Sequence, residues 1–323
     1  MSSFKISIII PVYNEEKQIR ESLRIIQSSL EKCNINHGFI LVDDGSKDHT
    51  WRVLTEVASQ TDGIRAIRLS RNFGKEAALC AGLEQADGDA CLVMDADLQH
   101  PPELIPEMVR LWQDGFEIVE AVKASRGKEN FFHGISARFF YGILKAFSGI
   151  DLNMASDFKL LDAKVIASWR EMNERNTFFR GMVAWVGYQS VTIPFEVPER
   201  IHGSSKWSTL KLIKLAITAI TSFSSLPLQI VTFLGAIFFI GSIILGIQTL
   251  YMKFSGIAVS GFTTVILLLL IIGSCLMICL GIIGTYIAKI YEEVKNRPRY
   301  IISETRNINQ ITAVRKTWGG NHY

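Results

Sequence analysis

Two phosphate-binding signatures are missing from this chain. Neither Gly-x-Gly-x-x-Gly nor Gly-x-x-x-x-Gly-Lys-Ser/Thr occurs in its 323 residues, which argues against a dinucleotide cofactor and against a P-loop nucleotide hydrolase. Cysteine is scarce and scattered. Cys33, Cys80, Cys91, Cys275 and Cys279 form neither a metal-spaced pair nor a disulfide framework. The net charge of +3 is too small for the whole chain to bind nucleic acid by charge. Charge is absent altogether from residues 215–252 and again from 254–288, and each gap exceeds the ~20 apolar residues needed to cross a bilayer. Acids are also missing between Glu199 and Glu292, while Arg200, Lys206, Lys211 and Lys214 precede the first gap. Lys289, Lys295, Arg297, Arg299, Arg306, Arg315 and Lys316 follow the second, and the loop between carries only Lys253. Basic flanks predict that both ends lie in the cytoplasm. The amino terminus, Met-Ser-Ser-Phe-Lys, has no signal-peptide pattern, so the large polar domain is expected to be cytosolic.

What is present reads as an alternation of strands and helices. A β-branched run from Phe4 to Ile10 predicts the first strand, and Ile19, Leu23, Ile26 and Leu30 a helix that Asn14 would cap. Further strands are predicted at 38–42, 64–69, 90–94 and 116–122, with helices between them, and another near 190–197. This spacing argues for a largely parallel sheet with helices on both faces. Three strand ends carry polar or acidic clusters, at 11–15, 43–46 and 95–99. In a parallel sheet all three emerge at one edge, where open α/β sheets bind ligands.

The last cluster, Asp95-Ala96-Asp97-Leu98-Gln99, puts two carboxylates on one face of an extended segment. Such a pair repels itself unless a cation sits beside it, and hard cations take one or two carboxylates plus substrate phosphates. A surface turn capped by acids has the same pattern. Acids rather than glycines at strand ends fit hydrogen bonding to base and ribose, with a metal for the phosphates. Residues 123–149 interleave Lys123, Arg126, Lys128, Arg138 and Lys145 with eight large apolar or aromatic residues. They read as an amphipathic helix, resting on the membrane surface or on the domain itself. Asp157 stands just before a strand-like run, where it caps a turn or serves the chemistry. The tract from Arg200 to Trp207 is a basic loop with small residues, suited to closing over phosphates or to meeting anionic lipid. A juxtamembrane amphipathic helix is expected over 208–226. Two spans are expected within 227–290, at about 228–250 and 264–288, and a basic cytosolic tail over 291–323.

Six motifs in order resemble the polyprenyl-phosphate glycosyltransferases of glycosyltransferase family 2. They are Pro-Val-Tyr-Asn-Glu at 11–15, Asp-Asp-Gly-Ser at 43–46, Arg-Asn-Phe-Gly-Lys at 71–75, Asp-Ala-Asp-Leu-Gln-His-Pro-Pro at 95–102, Asp-Phe-Lys-Leu-Leu-Asp at 157–162 and Arg-x-x-Gly-x-Ser-Lys-Trp at 200–207. The resemblance implies an α/β GT-A catalytic domain over 1–207, with a Rossmann-like, mostly parallel sheet. It implies inverting transfer of a sugar from a nucleotide sugar to a polyisoprenyl phosphate at a bacterial inner membrane. By the same carry-over, Pro11, Tyr13, Glu15, Val42 and Asp44 hold the nucleoside. Asp95, Ala96 and Asp97 hold the diphosphate and an Mg²⁺ or Mn²⁺ ion, Asp97 most directly, with Gln99 nearby. Lys123, Arg200 and Lys206 neutralise phosphates, Arg126 and Arg138 meet the acceptor phosphate, and Asp157 orients the acceptor or takes a residual proton. The processive motif Gln-x-x-Arg-Trp is absent, which implies single transfer. The family also implies a homo-oligomer, a tetramer. Glucose from UDP-glucose is the first expectation for the donor, with GDP-mannose, a UDP-N-acetylhexosamine or an aminosugar as alternatives. An inactive scaffold would lack reason to keep acids at 44, 95 and 97, and spans without internal charge suit an anchor better than a flippase.

Overall fold

The computed structural model describes residues 4–124, 156–172, 174, 178–196, 226–256 and 261–307. They fall into two units, residues 1–209 with 298–323, and residues 210–297.

The first unit is built on a sheet of eight strands: β1 (Ile6–Val12), β2 (His37–Asp43), β3 (Ile64–Leu69), β4 (Ala90–Val93), β5 (Ile118–Lys123), β6 (Lys159–Asp162), β7 (Ser190–Phe195) and β8 (Ile302–Arg306). Their order across the sheet is β7-β5-β6-β4-β1-β2-β3-β8. The helices of this unit are α1 (Ile19–Lys32), α2 (Thr50–Gln60), α3 (Lys75–Glu84), α4 (Ile105–Gln113), α5 (Ala163–Glu171) and α6 (Phe179–Trp185). Both faces of the central strands are covered, which is why β1 reads as a nearly unbroken apolar run. Ile6, Ile8, Ile10 and Val12 join Ile19, Leu23 and Ile26 of α1, Leu54 of α2 and Met108 of α4 in one buried cluster. Ile9 turns the other way, to α3, where Gly82 lets the helix approach. A Cβ at Gly82 would stand 2.4 Å from Ile9 Cγ2. Each aliphatic side chain buried this way contributes about 1.5–3 kcal/mol.

Strand direction decides which loops meet. β1 runs parallel to β2 and β4, and β2 to β3. β6 is antiparallel to both β4 and β5, and β7 is parallel to β5. The carboxyl ends of β1, β2, β3, β4, β5 and β7, and the amino end of β6, therefore share one edge. The strand order reverses beside β1, because β2 lies on one side of it and β4 on the other. That reversal opens a crevice at the same edge.

Two expectations are corrected. Asn14 does not cap α1, whose N-cap is Gln18 without a side-chain bond. Asn14 instead takes a left-handed turn (φ 55°). Nor is 291–323 simply a tail after the spans. Ile302–Arg306 returns to the sheet as β8, antiparallel on the outer edge of β3. Its polar alternation hides the strand in the sequence, because only one flank of an edge strand is paired. Glu304 accepts from Trp51 Nε1 and Arg68 Nη1, both at 2.9 Å. Tyr300 Oη donates to Glu84 at 2.6 Å, and Asn307 Nδ2 to the carbonyls of Ala58 and Ile64 at 2.6 and 2.9 Å.

The second unit contains two long helices, α7 (Leu226–Phe254) and α8 (Phe262–Val294). Both are long and apolar enough to cross a membrane, and neither apolar window is buried. A helix from a soluble core would be covered. Here Phe233 is 67% exposed and Met277 70%. The expected amphipathic helices over 123–149 and 208–226 lie almost wholly outside the described residues.

Ending the chain at residue 297 removes the strand that closes the β3 edge. Melting of the purified protein should fall by about 5 °C or more, and an unchanged midpoint would show that β8 adds nothing to the sheet.

Candidate active site

At the crevice, three loops lock together. The Asn14 N–H donates to Ser46 Oγ at 2.9 Å, and Asn14 Oδ1 accepts from the Lys47 N–H at 2.9 Å. The Glu15 N–H donates to Thr50 Oγ1 at 2.8 Å. Asp44 accepts from the N–H groups of Phe73 and Gly74, at 2.7 and 2.9 Å, tying the loop after β3 to the end of β2. Gly45 makes this approach possible. It has φ +65°, and a Cβ there would stand 2.4 Å from the Arg71 carbonyl carbon. Asp43 is fully buried, with Oδ1 accepting from the Ser46 N–H at 2.9 Å. Its Oδ2 is 3.4 Å from Arg68 Nε but has no aligned hydrogen bond, so the ion pair is loose. Burial pushes both the Asp43 and Asp44 carboxyls up.

The end of β4 supplies the next groups. The Asp95 N–H donates to His100 Nδ1 at 2.9 Å, which leaves that nitrogen unprotonated and puts the ring proton on Nε2. His100 is buried against Phe158, stacked at 5.0 Å, and burial lowers its pKa. Leu98 turns left-handed (φ 58°), and Asp97 Oδ1 accepts a long 3.2 Å bond from the Gln99 N–H. Burial raises the Glu15 pKa, and repulsion from Asp97 raises it further. The loops after β1 and β4 therefore bring like charges near each other.

Lys75, at the first position of α3, joins this cluster to Asp157. Its ammonium lies 2.6 Å from Asp95 Oδ1 and 2.5 Å from Asp157 Oδ2. Arg180 Nε holds the other oxygen of Asp157 at 2.6 Å. Burial disfavours both charges, but their mutual attraction outweighs it. Lys75 is held above its usual range by Asp95 and Asp157, and Asp157 well below its own by Lys75 and Arg180. Glu76 Oε2 accepts from the Phe179 N–H at 2.7 Å, at the start of the helix that carries Arg180. Next to this cluster, Lys159 is buried and paired with Glu120 at 2.6 Å. Burial pulls its pKa down.

Of the expected residues, Tyr13, Glu15, Asp44, Asp95, Ala96, Asp97, Gln99 and Asp157 stand on loops at this edge, Pro11 is the next-to-last residue of β1, and Lys123 ends β5 there. Tyr13 is 38% exposed at the crevice. Asp44 and Asp95 are separated by β1 alone, about 10 Å by strand spacing. Val42 is fully buried within the sheet, so its side chain is core and only its main chain borders the crevice. Asp44 spends an acceptor on each of two backbone amides, so its first task is to brace the loop. Arg126, Arg138, Arg200 and Lys206 lie outside the described residues. Sequence reasoning missed Lys75, Glu76 and Arg180. Lys75 ends a motif already noticed, but nothing in the spacing from 75 to 95 and 157 announces a bridge.

A glycosyl transferase family 2 model matches residues 7–167. An uncharacterized glycosyltransferase of Bacillus subtilis, YkcC, is 36% identical over 94% of each chain. The uncharacterized glycosyltransferase sll0501 of Synechocystis is 38% identical over 94% of this chain and 96% of that one. The SfII prophage-derived bactoprenol glucosyl transferase of Shigella flexneri is 35% identical over 94% of this chain and 99% of that protein. The chain belongs to glycosyltransferase family 2. Its catalytic unit is the expected GT-A type, a mixed sheet in which four of the seven strand pairings are parallel.

In this family 2 enzyme, no group of three or more His, Cys, Asp or Glu among the described residues forms a metal cage. A hard cation held by one or two carboxylates and completed by substrate phosphates needs no such cage. Asp97, half-buried and without an ion pair among the described residues, has the donor type for it. Asp95 already shares Lys75.

Burial pushes the Glu76 carboxyl from its ordinary 4.5 up to about 7, with Asp157 raising it and Lys75 and Arg180 opposing. The protonated form is favoured in the fold. This stability is present below the ordinary value and is lost as pH rises to about 7, by at most about 3 kcal/mol. Glu76→Gln keeps the acceptor for the Phe179 N–H and cannot ionise. It should therefore match the native enzyme near pH 4.5 and exceed it in unfolding free energy at pH 8. Parallel stability profiles would rule out a titrating Glu76.

Proposed function

We propose that this enzyme transfers glucose from UDP-glucose, with inversion and with Mg²⁺ or Mn²⁺, to a polyisoprenyl phosphate such as undecaprenyl phosphate. The observation that carries the reading is the convergence of the acidic ends of β1, β2 and β4 on one crevice, in a chain that also has two membrane-length helices. The bactoprenol glucosyl transferase relative, similar over nearly its whole length, supports both the sugar and the lipid.

The donor nucleoside lies over the loop after β1 and the Asp44 turn, with Tyr13 and Glu15 beside it. A cation held by Asp97, with Asp95 adjacent, supplies neutralisation of the charge that develops on the departing diphosphate. Lys123, with Arg200 and Lys206 from the basic loop, adds positive charge to the same phosphates. Arg126 and Arg138 meet the acceptor phosphate. That phosphate is already anionic near neutral pH, so little base assistance is needed. Asp157 suits this economy. Lys75 and Arg180 keep it ionised and make it a weak proton acceptor, so it acts by orienting groups around it. Attack from the face opposite the leaving diphosphate inverts the anomeric centre.

Connectivity supports membrane anchoring. The chain leaves the catalytic unit after β7, whose end lies at the crevice edge, and rejoins it at β8, which starts beside the end of β3. Ser70, on the loop after β3, donates to the Ile301 carbonyl at 2.8 Å. A pair of helices whose two ends both rejoin one folded unit crosses the bilayer an even number of times. The reading is therefore a two-span anchor in the bacterial inner membrane, with the catalytic unit and the basic flanks in the cytoplasm. The glycine-bearing helix surfaces suit packing into a homo-oligomer.

Membranes containing the enzyme should transfer labelled glucose from UDP-glucose to undecaprenyl phosphate more readily than sugar from GDP-mannose or UDP-N-acetylglucosamine. Asp97→Ala should cut this at least about 100-fold while leaving the protein folded. Near-normal transfer by that variant would remove the cation assignment, and preference for another donor would remove glucose.

A further inference from the structure

Among the described residues, Lys75 joins the end of β4 to the segment ahead of β6. It stands on the first turn of α3, reaches Asp95 at the end of β4 and reaches Asp157 ahead of β6. Its side chain is 40% exposed, whereas that of Asp157 is 8% exposed. The backbone beneath it is fixed, because Asp44 holds the amides of Phe73 and Gly74 immediately before it. The far side of Asp157 is fixed as well, by Arg180. The ammonium is therefore strung between Asp95 and an Asp157 carboxylate that Arg180 holds from its far side.

The charges nearby explain why it stays there. Lys75 and Arg180 compensate Asp95 and Asp157, whereas Asp97 has no ion pair among the described residues.

We propose that Lys75 is a positioning residue that sets how strongly the cation is held and links cation loading at Asp95 and Asp97 to the Asp157–Arg180 pair. This rests on the metal-dependent reading above and deepens it. With its charge shared between two carboxylates, Lys75 weakens the pull of Asp95 on a cation and keeps that carboxylate turned toward Asp157. Removing the ammonium leaves a more negative site, so a cation binds more tightly. It also frees Asp95 and Asp157 from each other, so transfer slows. Removing the charge of Asp157 acts the other way. Lys75 is then left to Asp95 alone, and a cation must compete with it.

The test titrates the full-length protein with Mn²⁺ in the presence of UDP, following the electron paramagnetic resonance signal of free Mn²⁺, and measures transfer separately. Lys75→Met should bind Mn²⁺ on the order of tenfold more tightly, while its kcat falls at least as far. Lys75→Arg, which keeps the charge, should restore most of both properties. Asp157→Asn should weaken Mn²⁺ binding severalfold although Asp157 is not a ligand. A native enzyme that binds no Mn²⁺ would overturn the metal-dependent reading and this inference with it. Mn²⁺ bound normally by the native enzyme and equally by Lys75→Met and Asp157→Asn would overturn this inference alone. If Lys75→Met does not fold, Asp157→Asn and Lys75→Arg decide the matter, since weaker binding by the first and native binding by the second are required.

Discussion

Repulsion between carboxylates gathered on one sheet edge is the constraint on which the molecule depends. Two like charges about 5 Å apart near a protein surface cost about 3 kcal/mol, and the crevice holds several. Asp95 and Asp157 are reconciled by Lys75 and Arg180. Glu15 and Asp97 have no such cation among the described residues, and burial followed by repulsion from Asp97 raises the Glu15 pKa. A fold that gathers such groups without neutralising them is prepared for positive charge from outside, which on the proposed reading a divalent cation carried with the donor diphosphate would supply.

The scaffold keeps that arrangement rigid by economical means. Parallel strands buried on both faces fix where each loop begins, and the loops then brace one another through backbone amides and short side chains. Asp44 is the clearest case. Both its oxygens bind the loop that presents Lys75. The charge network is therefore built on this turn, which passes close to Arg71 only because residue 45 lacks a Cβ. The returning strand β8 extends the bracing to the chain that follows the apolar helices, through Glu304 and Arg68.

Much of this was legible in the sequence, for physical reasons. Strands covered on both faces read as unbroken apolar runs, so β1 through β4 were found within one or two residues of their ends. The alternation with helices made the sheet parallel, and a parallel sheet forces the clusters at 11–15, 43–46 and 95–99 to one edge. Helices too long and too apolar for a soluble core announce themselves by the absence of charge. What stayed hidden depends on partners far apart in the chain. β8 is a polar strand of five residues whose partner lies more than 230 positions away. Lys75, Glu76 and Arg180 are ordinary surface residue types until folding brings α3, β6 and α6 together. Asn14 looked like a helix cap because its residue type suits one, but the competing bonds to Ser46 and Lys47 claimed it.

The central claim is that the crevice binds a nucleoside diphosphate through a cation held at the end of β4. Calorimetric titration of the full-length enzyme with UDP, once with Mn²⁺ and once with a chelator, tests it most directly. The account predicts UDP affinity at least about tenfold higher with Mn²⁺, a gain of about 1.4 kcal/mol or more, and loss of that gain in Asp97→Asn. Equal affinity with and without the metal would contradict it.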